Sequence, residues 1–294
     1  MEIGKRKLIE LGMRAGDSDM YDEDLLWSRC SRDKVDIAEV LMGVIRALFR
    51  TTPRSRRLRV LSIGSGSEPQ FLILESAFMG GVYLLDIDNV PLEIVNDRIK
   101  RQWIDHVTTV QGNYCEMFIQ PEDADQTLKR SLGNERFDLI TLHHSMYYCS
   151  ESEWEDLFVS LYGKILCRRG AIHAVMMASE SDNHSSTTWL YNHFAGKFFD
   201  CHNDQDLKTF GSELSRISTF SGSEFQQRTH EVDFFVDDFE KFMTVVWMIL
   251  LYPDVHSYTL EEREEITEYI YGKFWLDRKP LLQMQDHLII NRKQ

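Results

Sequence analysis

Four short clusters of glycines, carboxylates and ring side chains mark where this sequence is equipped for chemistry. The first is Val60-Leu-Ser-Ile-Gly64-Ser65-Gly66-Ser-Glu-Pro69. Two glycines one residue apart, after an apolar run, let the backbone turn sharply and approach a ligand closely. The second is Leu84-Leu-Asp86-Ile87-Asp88, about twenty residues further on, where a carboxylate at a strand end accepts both ribose hydroxyls of a nucleoside. Of its two acids, Asp86 is the one that the strand ending favours. The third, Gly112-Asn113-Tyr114, has turn residues with a polar side chain directly after an expected strand. The fourth is His143-His144-Ser-Met-Tyr147-Tyr148, whose rings can hydrogen-bond, stack on a cation or take a proton. Adjacent histidines also raise the question of a metal. No carboxylate or third histidine stands at ligand spacing, so no metal is assigned.

Apolar spacing supplies the elements that must position these clusters. Ile37, Leu41, Val44, Ile45 and Leu48 recur at helical spacing between Val35 and Phe49. A strand Leu58–Ile63 follows, then a helix through Phe71, Leu72, Leu74 and Phe78, and a second strand Val82–Ile87. Pro91 suits the first turn of a helix running to about Asp105. His106–Val110, Phe137–Leu142 and Ala171–Met177 read as further strands, with a helix Glu153–Leu166 between the last two. Phe225–Val236 and Leu281–Asn291 read as late strands, and 237–276 as an aromatic-rich, acidic helical insertion. Strands alternating with helices give an α/β fold with a mostly parallel sheet. Ligands of such sheets sit at the carboxyl ends of the strands, near the point where strand order reverses. All four clusters fall at such ends. The expected organisation is one Rossmann-like domain over residues 1–294, with a helical lid at 1–50 and the insertion 237–276 as a cap.

Composition narrows the partners. The 294 residues carry a formal charge of −14, a field that repels phosphate backbones. The exception is the run Arg50 to Arg59, with five arginines in ten residues, read as a solvated connector ahead of the first strand. Cys30, Cys115, Cys149, Cys167 and Cys201 form no CxxC pair and read as reduced thiols of a cytoplasmic protein. The N-terminus lacks the apolar core of a signal peptide, and the most apolar run, Phe242 to Tyr252, is too short to span a membrane. The expected partner is therefore a small molecule, with neither nucleic acid nor membrane involved; nothing fixes an oligomeric state.

The glycine loop distinguishes between nucleotide cofactors. A dinucleotide site wants a third small residue, G-x-G-x-x-G, so that the helix packs close to the strand and its N-terminus meets the pyrophosphate. Pro69 stands there instead. S-adenosylmethionine carries no phosphate, so the departure favours it. With these residues in view, the chain resembles class I S-adenosylmethionine-dependent methyltransferases, most closely the histamine N-methyltransferase-like enzymes of small molecules. The likeness is specific at Leu61-Ser-Ile-Gly-Ser-Gly66 and from Phe137-Asp-Leu-Ile to Met146-Tyr-Tyr148, and looser at Thr188-Trp189-Leu190-Tyr191 through Phe198. It implies a seven-stranded sheet with the last strand antiparallel. It implies S-adenosylmethionine on Gly64, Ser65 and Gly66, on Asp86 and Ile87, on Asn113 and Tyr114, and on His143. It also implies an acceptor pocket of His144, Tyr147, Tyr148 and Trp189. Those relatives place an acidic side chain near the N-terminal helix, where an ungapped reading finds Lys34 beside Asp33, and an amide in the last strand, near Gln283 and Gln285.

Methyl transfer from a sulfonium is an in-line displacement in which the protein mainly contributes position. A neutral amine acceptor needs no further activation, whereas a hydroxyl acceptor needs a base, for which His144 is best placed. Trp27, Trp189 and Trp247 either close the pocket or pack. The expected function is N- or O-methylation of a small amine or heterocycle. The alternatives are a non-catalytic adenosylmethionine-binding or scaffold protein, and a protein methyltransferase. Methylation of a nucleobase amino group is disfavoured, because His143-His-Ser-Met occupies the place of an Asn/Asp-Pro-Pro-Tyr/Phe segment. Aminopropyl transfer is disfavoured too, because the acids that would grip a polyamine after the fourth strand are missing.

Overall fold

The computed structural model describes residues 2–17, 20–251 and 257–293. Helices α1 (Glu2–Arg14), α2 (Met20–Cys30) and α3 (Asp33–Thr51) lead the chain. Then come β1 (Arg59–Ile63), α4 (Phe71–Ala77), β2 (Gly81–Asp86), α5 (Asn89–Gln102) and β3 (Val107–Gln111). They are followed by α6 (Tyr114–Phe118), α7 (Pro121–Arg130), β4 (Phe137–His143), α8 (Glu151–Ser160) and β5 (Leu166–Met177). The chain closes with α9 (Thr187–Phe199), α10 (Leu207–Leu214), β6 (Ser223–Phe234), α11 (Phe239–Leu251), α12 (Leu260–Ile270) and β7 (Leu281–Arg292).

The seven strands form one sheet in the order β3-β2-β1-β4-β5-β7-β6, with β7 antiparallel. The pairs β1–β2, β1–β4, β2–β3 and β4–β5 are parallel. Strand order therefore reverses between β1 and β4, which puts a ligand crevice beyond their carboxyl ends.

The chain divides into two compact units. The first comprises Met1–Asp36, Met177–Gln205 and Thr229–Gln285; the second comprises Ile37–Met176, Asp206–Arg228 and Asp286–Gln294. In the second unit side chains alternate across the sheet, as the two-residue strand period requires. Val60, Leu84 and Leu139 enter one core with Leu41, Val44 and Phe71, while Leu61, Leu85 and Ile140 enter another with Trp154, Leu157 and Phe210. Both faces are thus covered by helices. The first unit has its own core, in which Trp27 stacks on Phe234 at 5.7 Å and Trp247 donates Nε1–H to the Gly12 carbonyl at 2.7 Å.

Several boundaries differ from those read in the sequence, for identifiable reasons. Strand β5 begins at Leu166, the expected end of the preceding helix and five residues before the expected Ala171; its pairing with β4 shifts register between Phe137–Leu166 and Leu139–Ala171, which breaks up the strand pattern there. Helix α7 is mostly polar and buries only Ala124 and Leu128, too few for a periodic signal. Its Pro121 at the first turn and its Glu122, Asp123, Lys129 and Arg130 at the matching ends of the dipole define it instead. Arg59, the last arginine of the connector run and the second residue of the expected first strand, is buried in β1 and donates to Glu135 at 2.8 Å and to the Leu132 carbonyl at 3.0 Å.

Of the apolar run Phe242–Tyr252, Tyr252 lies outside the described residues. So do 252–256 of the expected insertion and 1, 18 and 19 of the expected lid. Among the described residues no helix is long and apolar enough to cross a membrane, and the five cysteines are free of disulfides.

Candidate functional site

The carboxyl ends of β1, β2 and β4 gather most of the sequence-derived residues in the second unit. After β1 the chain turns through Gly64 at φ +64° and Gly66 at φ +50°. A Cβ on Gly64 would stand 2.3 Å from that of Ser145, so this position needs glycine for space as well as for φ. A Cβ on Gly66 would meet nothing within 4 Å; the loop is open on that side. Ser65 is buried, and its N–H bonds the Leu85 carbonyl at 3.0 Å, tying the loop to β2.

Asp86 ends β2 and braces the loop. Its Oδ2 accepts the Gly66 N–H at 2.7 Å and its Oδ1 the Asp88 N–H at 2.9 Å. Each carboxylate oxygen has a second lone pair for a further donor. Asp88 does different work: it is the N-cap of α5 and accepts from the Val90 N–H at 2.9 Å. Ile87, between them, is 66% exposed, an apolar face beside the loop. Asn113 caps α6 through the Cys115 N–H at 3.0 Å. Tyr114 is buried, with its hydroxyl on the Ser145 carbonyl at 2.8 Å. Burial also drives its phenol well above the ordinary tyrosine range. Both side chains therefore have internal partners that shape the loop after β3. The Ser145 hydroxyl is buried with no hydrogen-bond partner among the described residues.

Beyond β4, His144 adopts φ +53°, an uncommon conformation for a residue with a side chain. Its Nδ1 lies 3.2 Å from the Tyr147 hydroxyl and the two rings stack within 13° of parallel. Tyr147 is half-buried against the core and Tyr148 is 53% exposed, so the paired tyrosines face different surroundings. Trp189 lies in the first unit. There its indole is stacked between His184 at 4.4 Å and His193 at 4.5 Å.

Three features escaped the sequence reading. The first is a row of imidazoles through the second unit. His143 Nε2 lies 3.1 Å from His173 Nδ1, and His173 Nε2 lies 3.1 Å from His287 Nδ1. Burial is the main cause that holds His143 down to about 3, and it lowers His173 as well; both rings are neutral at neutral pH. Lone histidines in apolar runs, Ala171-Ile-His173-Ala and Asp286-His287-Leu, were the available signal. The second is Glu68, buried at φ +50°, which accepts from Ser62 at 2.5 Å and from the Gln70 N–H at 3.0 Å. Burial raises its carboxyl above the ordinary range. The third is in the first unit. Asp36 meets the amide of β7: its Oδ2 accepts from Gln285 at 2.8 Å, its Oδ1 lies 2.6 Å from His230, and Gln283 donates to Gln285 at 3.2 Å. Asp36 sits three residues, close to one helical turn, beyond Asp33.

No protein-family profile matches the sequence, and no curated protein does. Solved structures do match. The YcgJ protein from Bacillus subtilis superposes with a TM-score of 0.52 at 14% identity, covering 86% of this chain and 100% of that one. A proposed methyltransferase from Bacillus halodurans gives 0.52 at 15% identity, with the same coverage. A proposed sarcosine dimethylglycine methyltransferase from Galdieria sulphuraria gives 0.50 at 14% identity, covering 89% of this chain and 86% of that one. At such identities the likeness is one of architecture. Taken with the strand order and the antiparallel β7, it shows that this chain has the class I methyltransferase fold.

Proposed function

We propose that this protein is an S-adenosylmethionine-dependent methyltransferase acting on a small amine or heterocyclic nitrogen. The observation that carries the reading is the loop after β1. Gly66 faces open space, Gly64 is pressed on Ser145, and Asp86 fastens the loop while keeping lone pairs for ribose hydroxyls. The buried Ser145 hydroxyl, unpartnered among the described residues, lies against the same loop. These residues fit a nucleoside cofactor without a pyrophosphate. In this reading Gly64, Ser65, Gly66, Asp86, Ile87 and His143 hold the cofactor, and the loop after β3 at Asn113 and Tyr114 borders the adenine. Bound there, S-adenosylmethionine supplies an electrophilic methyl group on a sulfonium.

His144, Tyr147 and Tyr148 are the acceptor-side residues of the second unit. The tautomer in which His144 Nδ1–H donates to Tyr147 leaves Nε2 as the basic nitrogen, able to take the proton that the acceptor sheds. His143, held neutral, adds no positive charge beside a cationic cofactor. Within the first unit itself, Asp36 is held by Gln285 and His230, and Trp189 by the rings of His184 and His193.

Transfer of a labelled methyl group to a panel of small primary amines and imidazoles tests the assignment. His144→Ala is expected to lower kcat at least tenfold, less than the roughly 10²–10⁴ of a full general base because an amine acceptor only has to shed its proton, with adenosylhomocysteine affinity within about twofold of wild type. Loss of adenosylhomocysteine binding in that variant would move His144 to the cofactor side. Absence of transfer to every amine, with cofactor binding intact, would refute the acceptor class.

A further inference from the structure

The second unit holds a cationic hollow that the methyltransferase reading does not use. A cavity of about 1060 Å³ is lined by Arg56, Arg136, Arg168, Arg169, Arg292 and Lys293, in a chain of net charge −14. These cations come from the segment before β1, the start of β4, the start of β5 and the end of the antiparallel β7. They therefore meet at the amino ends of the parallel strands. The glycine loop and His143 lie at the carboxyl ends, roughly 20 Å away along a strand of this length.

Crowding like charges costs free energy unless something answers them. Carboxylates answer two: Arg56 pairs with Asp138 at 2.6 Å and Lys293 with Glu224 at 3.2 Å. Arg136, Arg168 and Arg292 have no carboxylate partner among the described residues. The hollow is nevertheless built in part. Arg292 donates to the Tyr162 carbonyl at 2.7 Å and lies over the Tyr162 ring at 4.3 Å, while Arg169 donates to the Thr51 carbonyl at 3.1 Å. Fixed guanidiniums lose little freedom on meeting an anion and offer paired N–H donors that match phosphate oxygens. The hydroxyls of Thr219 and Ser221 on the wall add neutral donors.

We propose that this hollow binds a multiply phosphorylated small molecule carrying at least three negative charges. Its volume is ample for a small polyanion, and its open side admits one from solvent. Among the described lining residues the one aromatic ring, Tyr162, is buried beneath Arg292, so no exposed aromatic face is offered to a nucleobase. The acidic remainder of the protein opposes a long polyanion.

Calorimetry of the full chain with inorganic tripolyphosphate in about 0.1 M salt tests this. Saturable one-to-one binding is expected, unaffected by adenosylhomocysteine. Arg136 and Arg168 are exposed, so the double variant R136A/R168A is expected to keep its fold and weaken binding at least tenfold, equivalent to about 1.4 kcal/mol. R54A/R57A, which removes two arginines of the same run that lie outside the hollow, is expected to change nothing. ATP binding as tightly as tripolyphosphate assigns recognition to the phosphates; ATP binding at least tenfold tighter makes a nucleotide their carrier. No saturable binding, equal binding by R136A/R168A, or competition by adenosylhomocysteine overturns the proposal. So does a uridine oligonucleotide that outbinds tripolyphosphate with a salt dependence growing with its length.

Discussion

Replacing Asp86 by asparagine changes charge and donor pattern while keeping shape. In the native loop both carboxylate oxygens accept backbone N–H groups, from Gly66 at 2.7 Å and from Asp88 at 2.9 Å. An asparagine brings one acceptor and one donor, so one of those N–H groups must face another N–H. Leaving a donor unpaired costs about 1–3 kcal/mol. A cofactor whose ribose hydroxyls donate to the carboxylate loses charge-assisted bonds of about 1.5–3 kcal/mol, a roughly ten- to hundredfold rise in Kd. Asp88→Ala is the matched control. It removes the cap of α5, costing about 1 kcal/mol of stability, and leaves the ligand-facing carboxylate in place. Urea unfolding and calorimetric titration with adenosylhomocysteine separate the two effects. The expected pattern is Asp86→Asn weakening both stability and binding, and Asp88→Ala weakening stability alone. Binding by Asp86→Asn within twofold of wild type, or a larger affinity loss in Asp88→Ala, refutes the assignment of the ribose contact.

The two glycines should separate in the same assays. Gly64→Ala adds the strain of φ +64°, about 1–2 kcal/mol, to a 2.3 Å approach on Ser145, and is expected to be the more destabilising. Gly66→Ala meets open space and should fold but bind adenosylhomocysteine more weakly; equal stability losses would contradict the packing described. His143, whose folded pKa of about 3 lies below the ordinary 6.5, should remain neutral in imidazole NMR from about pH 5 to 8. Its contribution to stability is present above 6.5 and is lost as pH falls toward 3, so His143→Gln should flatten acid unfolding there. Glu68 has the opposite sign. Its folded pKa is raised above 4.5, so the stability difference between wild type and Glu68→Gln should be level below 4.5 and fall as pH rises above it. A difference that grows with pH would mean that the Ser62 and Gln70 donors outweigh burial.

The parts of this molecule legible in the sequence are those governed by local pattern. Strands β1, β2 and β4 were placed to within a residue or two because apolar runs closed by glycine or a polar residue specify them. The turn at Gly64 and Gly66 and the carboxylate ending β2 come from the same short stretches. What the sequence hides is non-local. His143, His173 and His287 meet because β4, β5 and β7 are neighbours in the sheet, and register sets that contact across separations of 30 and 114 residues. The Arg50–Arg59 run is an exposed connector up to Arg57, as its composition suggests, and of its arginines only Arg59 is buried; what the run does not announce is that Arg56 meets Asp138 and cations from distant segments in one hollow. Glu68 was overlooked because its importance lies in a positive φ and a buried hydrogen bond, which residue type does not announce.

The central claim is that the loop after β1 is built for adenosylmethionine and against a dinucleotide. Calorimetric titration of the purified protein with adenosylhomocysteine and, separately, with NAD tests it most directly. The account predicts one adenosylhomocysteine site per chain and NAD binding at least a hundredfold weaker, a gap of about 2.8 kcal/mol. Tight NAD binding with no heat from adenosylhomocysteine would contradict it.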